Sequence, residues 1–411
     1  MTSPLLHRRD VLRGLALFSG WAYAPRLVSA AGGRDPRFLF VILRGALDGL
    51  AAVAPVGDPH YERARGGLVL PAHGPEAGLA ISNFFALHPN MPALHGLIAR
   101  GDAAIVHATA TPYRERSHFD GQDVLESGQP GPGRVDTGWL NRLIGTLEPG
   151  DPVRASSALA LSEAVPLVMR GPEKVVSWTP AGFPDASSDT RLRLLDLYTH
   201  TDPELASLLE EALALEAVAG SRSDMDAVMA AIGQADLSNL SRQFSEMAAA
   251  AGRLLAQGEG PRIAALSYPG WDTHRGQGLI EGRLARLLTA LDSAIASLQR
   301  ELQPVWNDTV VVIATEFGRT VAMNGTRGTD HGTGTLAIVL GGAVSGGRVI
   351  ADWPGLGEAS LLGGRDLRPT TDLRAVLKGV AKDHLGIAER ELAEIIFPES
   401  ASVRPLSGLV A

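Results

Sequence analysis

The chain has 411 residues, of which 45% are hydrophobic and 20% are charged, a composition typical of a globular protein with a large core and not of a disordered one. It contains no cysteine, which excludes disulfides, thiolate metal sites and cysteine nucleophiles. Because the formal net charge is −8 and phosphate backbones bind positively charged faces, we expect no nucleic-acid partner.

The N-terminal segment has the pattern of an export signal. Arg8-Arg9 precedes a short apolar run, residues 14–24, and small residues follow at Val28-Ser29-Ala30. This order predicts a twin-arginine signal peptide over residues 1–30, carried by the twin-arginine export machinery to the periplasm or the medium. The alternative is an amphipathic first helix with an accidental arginine pair. Cleavage would remove four arginines and one aspartate, which moves the net charge from −8 to −11.

Runs of apolar and β-branched residues recur along the chain and predict strands buried on both faces. In chain order they are residues 37–43, 103–108, 263–268, 310–313 and 335–342, with shorter candidates at 157–161 and 174–178 that a hairpin could join. Helical periodicity marks residues 90–100, 138–147, 279–302 and 372–385, and a helix-rich stretch spans 190–256, strongest at 205–217 and 240–255.

Strands that alternate with helices predict an α/β fold, and residues 263–315 have the order of a strand, a crossover helix and a parallel strand. Since no repeat or low-complexity linker interrupts the chain, we expect one domain over residues 35–395, with 190–256 as a helical insertion and 396–411 as a tail. No later apolar run is long enough for a transmembrane segment of the mature protein.

Polar clusters follow four of these strands. They contain Asp48; Arg114, Arg116, Ser117 and His118; Asp272 and His274; and Glu316, Asp330 and His331. Each cluster has an ordinary structural explanation: an aspartate at a turn, a serine that caps a helix, or a surface pair. Together they indicate a site, because the carboxyl ends of parallel strands share one edge of the sheet.

Carboxylates that converge at one edge repel one another unless a cation lies between them. A divalent metal ion is the simplest cation, and mixed aspartate, glutamate and histidine ligands suit zinc or manganese, or calcium or magnesium when more oxygen ligands are present. Arginines beside a hydroxyl suit an anionic substrate, because a guanidinium binds an oxyanion through two nitrogens.

Five short motifs occur in order along the chain: LRGALDGL, RERSHFDGQD, GWDTH, ATEFGRT and DHGTG. With the twin-arginine leader, they resemble the exported bacterial proteins of the DUF1501 family, which is similar to the alkaline phosphatase and sulfatase superfamily. The resemblance implies a large, mostly parallel sheet with helices on both faces. It also implies hydrolysis of a phosphate or sulfate ester, in which one or two metal ions clamp an oxygen of the substrate.

The resemblance assigns roles to the clustered residues. Asp48 and Glu316 would share a metal ion on the nucleophile side, and Asp272, His274 and His331 would hold another. Ser117 would be the nucleophile, with Arg114 or Arg116 on the anion and His118 beside it. The residues themselves make Asp330 a candidate for the metal site, where it could orient His331.

Three departures from the phosphatase pattern limit this assignment. Phe317 stands where the phosphatases have a histidine ligand, the spacing from Asp272 to His274 is tighter, and the chain has no cysteine for a formylglycine. Either one metal ion remains, or His118 replaces the missing ligand, or the site serves another task.

Taken together, the clusters and the resemblance predict an exported hydrolase of a small anionic ester or an exported glycan. The alternative is a non-catalytic, phosphatase-like module for binding or assembly in the periplasm.

Overall fold

A computed structural model describes residues 35–71, 73–156, 158–162, 164–178 and 240–411. The proposed signal peptide and residues 190–239 of the expected helical insertion lie outside the described residues. None of the described helices is long and apolar enough to cross a membrane.

Twelve strands are described, nine of them in one central sheet. In chain order they are β1 Arg37–Leu43, β2 Val53–Ala54, β3 Leu79–Ala80, β4 Ala86–Leu87, β5 Ala103–Ala110, β6 Ala158–Leu161, β7 Val175–Ser177, β8 Ile263–Tyr268, β9 Thr309–Ala314, β10 Thr335–Leu340, β11 Arg348–Ile350 and β12 Thr371–Asp372. The central sheet has the order β11-β5-β10-β9-β1-β8-β6-β7, with β12 also paired to β5, while β2, β4 and β3 form a separate small sheet.

The described helices are α1 Gly49–Ala52, α2 Tyr61–Arg65, α3 Pro92–Arg100, α4 His118–Ser127, α5 Trp139–Thr146, α6 Pro152–Ala155, α7 Leu240–Leu255, α8 Arg283–Glu301, α9 Leu373–Leu385 and α10 Glu389–Glu391. Short 3-10 turns occur at Gly66–Leu68, Leu167–Met169, Gln303–Asp308 and Glu358–Ser360, and a π-helical turn at Leu392–Ile396. The four helices expected from periodicity are all present, although each is shorter than its predicted range.

Helices cover both faces of the sheet. β1 shows why, because its side chains are apolar on both of its faces. Leu39, Val41 and Leu43 pack in the cluster that contains the apolar residues of α3, α7 and α8. Phe38, Phe40 and Ile42 pack in the cluster that contains those of α5 and α9. Each large apolar side chain buried in this way contributes about 1.5–3 kcal/mol. The expected α/β class, with a mostly parallel sheet between helical layers, is confirmed.

Strand direction decides where the functional loops meet. β1 pairs in parallel with both β8 and β9, so the crossover through α8 passes β1. β10 is antiparallel to both β9 and β5, and β5 therefore runs parallel to β1. The carboxyl ends of β1, β5, β8 and β9 and the amino end of β10 consequently lie at one edge of the sheet.

Two strands differ from the expected arrangement. β6 and β7 pair in parallel, and β6 also pairs in parallel with β8. The hairpin considered for these segments is wrong, because two strands joined by a hairpin must run antiparallel. The chain between them instead returns to the same end of the sheet before β7 begins.

The loops after β1 and β8 touch closely at the functional edge. Gly45 has a φ of +115°, and a Cβ at this position would lie 2.5 Å from the backbone nitrogen of Asp272. A residue with a side chain would clash there, so glycine permits this contact. The loop of β1 thus supports the loop that carries Asp272.

Candidate metal centre

Three ligand-type side chains converge at this edge. Among the described residues, His118, Asp272 and His331 form a group whose ligand atoms all lie within 4.8 Å of one another. His118 opens α4, Asp272 follows β8, and His331 precedes β10. β9 ends at this edge and the antiparallel β10 starts from it, so the loop between them keeps His331 beside Asp272.

His274 contacts two members of this group. Its Nε2 lies 2.9 Å from Nε2 of His331 and 3.1 Å from Oδ1 of Asp272. The side chains of His274 and Asp272 are 40% and 38% exposed, so a solute can reach them. The side chains of His118 and His331 are 23% and 25% exposed. The cluster therefore lies at the surface of the site and not inside the core.

Each of the three imidazoles is held through Nδ1. Nδ1 of His118 lies 2.8 Å from Oε1 of Glu316, and that of His274 lies 3.1 Å from Oδ1 of Asp330. Nδ1 of His331 lies 2.9 Å from the carbonyl oxygen of Arg116. Carboxylate and carbonyl oxygens only accept, so each Nδ1 donates and each Nε2 of a neutral ring carries a lone pair.

In the neutral rings, these tautomers point the Nε2 lone pairs into the cluster. The Nε2 lone pairs of His274 and His331 face each other at 2.9 Å, which is repulsive unless a proton or a metal ion lies between them. Nε2 of His118 is buried and has no hydrogen-bond partner among the described residues, although Oδ2 of Asp272 lies 3.6 Å away. Imidazoles whose Nδ1 is held by an acceptor are typical zinc ligands, so the donor set fits a divalent metal ion.

Glu316 orients His118. Its carboxylate is fully buried and also accepts from the backbone nitrogen of Gly45 and from Gln122. Burial opposes the charged carboxylate, but the hydrogen bond and charge of His118 outweigh it and lower the pKa of Glu316 to about 2. Burial likewise opposes the imidazolium, but Asp272 and Glu316 raise the pKa of His118 to about 9. These contacts differ from the expected position of Glu316 on a metal ion shared with Asp48.

Phe317 is the aromatic wall of the cluster. Its ring is buried, stacks on His118 with centroids 5.0 Å apart, and lies 5.2 Å from the ring of His331. Gly121 of α4 allows this approach, since a Cβ there would lie 3.0 Å from the Phe317 ring. The residue that departs from the phosphatase pattern therefore fixes the plane of His118.

A buried arginine holds Asp272. Nη1 of Arg319 donates to Oδ1 of Asp272 at 2.6 Å, and the Arg319 side chain is fully buried. Burial raises the pKa of Asp272, but the imidazoles of His118 and His331, whose Nε2 atoms lie 3.6 and 3.5 Å from its carboxylate, and the charge of Arg319 outweigh burial and hold that pKa well below its usual range. Asp272 is therefore a carboxylate at every ordinary pH.

Asp48 lies in a buried network behind the cluster. Its Oδ2 accepts from Nη2 of Arg65 at 2.7 Å and from Nε2 of Gln277 at 2.7 Å. Its Oδ1 accepts from the backbone nitrogen of Ala51, which makes Asp48 the cap of α1. The structural explanation considered for Asp48 thus holds, and its carboxylate already has a cation in Arg65.

The loop after β5 places the other predicted residues. Oγ of Ser117 accepts from the backbone nitrogen of Asp120 at 3.5 Å and caps α4. Arg114 donates to the carbonyl oxygens of Thr111 and Tyr113 in its own loop. Nε and Nη2 of Arg116 donate to Oδ2 of Asp366 at 3.1 and 2.8 Å. Both arginines are thus bound to neighbouring groups of the protein.

Asp330 does not orient His331 as expected. It contacts Nδ1 of His274, and Nδ2 of Asn324 also donates to it at 2.9 Å. The hydrogen bond from Asn324 is the main reason that the pKa of Asp330 is lowered. The carbonyl oxygen of Arg116 holds Nδ1 of His331 instead, and Arg116 has a φ of +63° that few residues other than glycine adopt.

The family model described as "Protein of unknown function (DUF1501)" matches residues 35–396. The chain belongs to the DUF1501 family. The family expected from the five motifs is thereby confirmed. No curated protein matches the chain.

Several solved structures are similar to this DUF1501 protein in fold alone. The PsFucS1 sulfatase from Pseudoalteromonas sp. is 11% identical with a TM-score of 0.42, over 99% of this chain and 78% of that chain. The phosphonate monoester hydrolase of Agrobacterium radiobacter is 11% identical with a TM-score of 0.36, over 86% and 74%. A putative sulfatase from Bacteroides thetaiotaomicron is 10% identical with a TM-score of 0.38, over 90% and 74%.

Sequence reasoning missed the residues that support the cluster of this DUF1501 protein. Arg319 was visible only as part of ATEFGRT, and Arg65 lies in a stretch that reads as irregular. Gln277 accepts from Thr273 and Thr329, and Arg319 also donates to Thr329. The one available signal was an arginine three residues after Glu316, at the end of a buried strand.

Proposed function

We propose that this DUF1501 protein is an exported, metal-dependent hydrolase of phosphate or sulfate esters with a single metal ion. The observation that carries the proposal is the convergence of three imidazole Nε2 atoms around one carboxylate, with every Nδ1 held by an acceptor. His118, Asp272, His274 and His331 would hold the ion. Since three of the four donors are imidazoles, zinc or manganese fits better than calcium or magnesium.

The single ion follows from Asp48 and Glu316. Arg65 neutralises Asp48, and Glu316 is committed to His118. Phe317 adds no ligand atom. The contacts therefore favour the reading in which one metal ion remains and His118 is among its ligands.

The bound ion would polarise an oxygen of the ester and stabilise the charge that develops there. The protein would keep the ligands in place through Glu316, Asp330, Arg319 and the carbonyl of Arg116. Ser117 remains the proposed nucleophile because it adjoins His118 and its 3.5 Å cap contact is weak. Its Oγ would bond to the phosphorus or sulfur atom, the alcohol would leave with the serine proton, and water would then release the anion.

Turnover assays test this proposal. The purified mature protein, loaded with zinc or manganese, should hydrolyse an aryl phosphate or an aryl sulfate. His331→Gln should lose that activity, since Gln offers no imidazole Nε2. No hydrolysis of either ester with either metal would contradict the proposal, as would full activity of His331→Gln.

Export is a separate part of the proposal and rests on the first thirty residues. Replacement of Arg8 and Arg9 by lysine should keep the protein in the cytoplasm with its leader attached, because the machinery reads the arginine pair. Cell fractionation and N-terminal sequencing measure this. Unchanged export of the double variant would contradict the twin-arginine route.

A further inference from the structure

A pair of arginines lies beside the metal centre on one buried carboxylate. Arg116 donates to Oδ2 of Asp366 through Nε and Nη2, and Nε of Arg365 donates to Oδ1 at 2.9 Å. The Asp366 side chain is 0% exposed, whereas those of Arg116 and Arg365 are 36% and 47% exposed. The negative group is therefore buried, and both cations reach solvent.

The two arginines carry more positive charge than is needed to neutralise the Asp366 carboxylate. One buried carboxylate is neutralised by one guanidinium, and Thr333 also donates to Oδ2 of Asp366 at 2.8 Å. The second guanidinium leaves a net charge of +1 on these three side chains, since both guanidiniums bind the same carboxylate. Two guanidiniums anchored on the two oxygens of one carboxylate offer several donors to the oxygens of a sulfate, phosphate or carboxylate group.

The side chain of Arg365 and the backbone of Arg116 both contact His331, and neither contact involves its Nε2 atom. Arg365 donates to the carbonyl oxygen of His331, and the carbonyl of Arg116 receives the Nδ1 hydrogen bond of the same residue. The Arg365 guanidinium is thus separated from the metal-facing Nε2 by roughly the length of one histidine side chain. An ester oxygen bound at the cluster and an anion bound by the pair would be different groups of one substrate.

We propose that Arg116, Asp366 and Arg365 form a subsite for a second anionic group of the substrate. The inference rests on the proposed function for the position of the ester. It assigns the substrate class as esters that carry a further sulfate, phosphate or carboxylate near the scissile bond. A neutral alkyl or aryl alcohol would leave this subsite without a ligand.

Inorganic sulfate and phosphate test the subsite in the metal-free mature protein, so this result does not depend on hydrolysis. Calorimetric titration at constant ionic strength, with chloride and acetate as comparison anions, gives the affinity. Arg365→Gln should weaken sulfate or phosphate binding at least tenfold. The matched control is Arg368→Gln, which removes an exposed arginine bound to the carbonyls of Ser360 and Leu361, and it should change the affinity less than twofold. Equal affinities of the two variants would overturn the subsite.

Asp366→Asn separates an organised subsite from general attraction. The variant makes the protein one charge more positive, so unspecific attraction predicts tighter sulfate binding. An organised pair predicts weaker binding by about tenfold, because the two guanidiniums lose their common anchor. If the variant does not fold, the comparison of Arg365→Gln with Arg368→Gln still decides.

Substrate pairs test the assignment to a second group. The metal-loaded protein should show a lower KM for 2-carboxy-4-nitrophenyl sulfate than for 4-nitrophenyl sulfate, and Arg365→Gln should abolish the difference. A difference that survives in Arg365→Gln would overturn the assignment, and so would sulfate binding that depends on Arg365 without any difference in KM. If neither ester is hydrolysed, the proposed function fails, while the metal-free titration still reports on the subsite.

Discussion

Nδ1 of His118 lies 2.8 Å from Oε1 of the buried carboxylate of Glu316. This contact turns the acidic residue at the end of β9 from an expected metal ligand into the group that orients one. It also fixes which nitrogen of His118 faces Asp272. The proposed metal site depends on this orientation more than on the number of acidic residues at the edge of the sheet.

Glu316→Gln tests the orienting role. Glutamine keeps the shape but removes the charge that holds the Nδ1 proton, so we expect metal affinity to fall about 10–100-fold with the fold intact. Competition with a chelating dye measures the affinity. Asp330→Asn is the matched control and should lower the metal affinity less than Glu316→Gln. The reason is that the Asp330 side chain is 54% exposed and holds His274 less rigidly. An unchanged affinity in Glu316→Gln would contradict the role.

Asp48→Asn tests the assignment of Asp48 to the fold. Asparagine still caps a helix, but the variant leaves Arg65 buried without its partner, and we expect a loss of about 3–5 kcal/mol in the free energy of unfolding. Chemical denaturation measures it. Asp151→Asn, at the cap of α6, should cost less than about 1 kcal/mol. Loss of metal from Asp48→Asn at unchanged stability would show that Asp48 is a ligand.

Ser117 has two separable tasks. Ser117→Ala removes both cap and hydroxyl, and we expect a loss of about 1 kcal/mol in stability and on the order of a thousandfold or more in turnover. Ser117→Asn restores the cap without the nucleophile, so it should recover stability but not activity. Thermal unfolding and ester hydrolysis measure the two effects. Activity recovered in Ser117→Asn would rule out the nucleophile.

Asp123 gives the fold a pH dependence outside the metal centre. Burial, with the nearby charge of Glu126, raises its pKa to about 6 against a hydrogen bond from Gly133. A carboxyl with a raised folded pKa favours the folded state at low pH, and this contribution is lost as pH rises through about 6. Asp123→Asn should therefore raise Tm relative to the native protein at pH 7.5 and leave it unchanged near pH 4. An equal shift at both pH values would contradict the assignment.

The sequence predicted the strands well because β1, β8 and β9 are continuous apolar runs, and burial on both faces demands such runs. It also placed Asp272, His274 and His331 at strand ends, where a parallel sheet gathers its loops. The crossover helix made the parallel course of β8 and β9 predictable, whereas nothing of this kind indicated the direction of β10, since an apolar run has the same composition in either direction. The antiparallel course of β10 was therefore missed, although it keeps the loop that carries His331 at this edge.

The partners of the acids could not be predicted either. Asp48 meets Arg65 and Gln277, which lie 17 and 229 positions away, and no local pattern links them. Asp366 meets Arg116 across 250 positions. Phe317 was interpreted only as a missing ligand, because a stacking contact with His118 depends on the loop after β5.

Elemental analysis of the folded, purified mature protein counts its metal ions. We expect one zinc or manganese ion per chain, with the ion lost in His331→Gln and retained in Phe317→Leu. Phe317→His should still bind one ion, because the ion pair with Arg65 keeps Asp48 from binding a second one. A protein that folds and stays metal-free after incubation with either metal would contradict the account and favour a binding or assembly module, and two ions per chain would contradict the single-metal site.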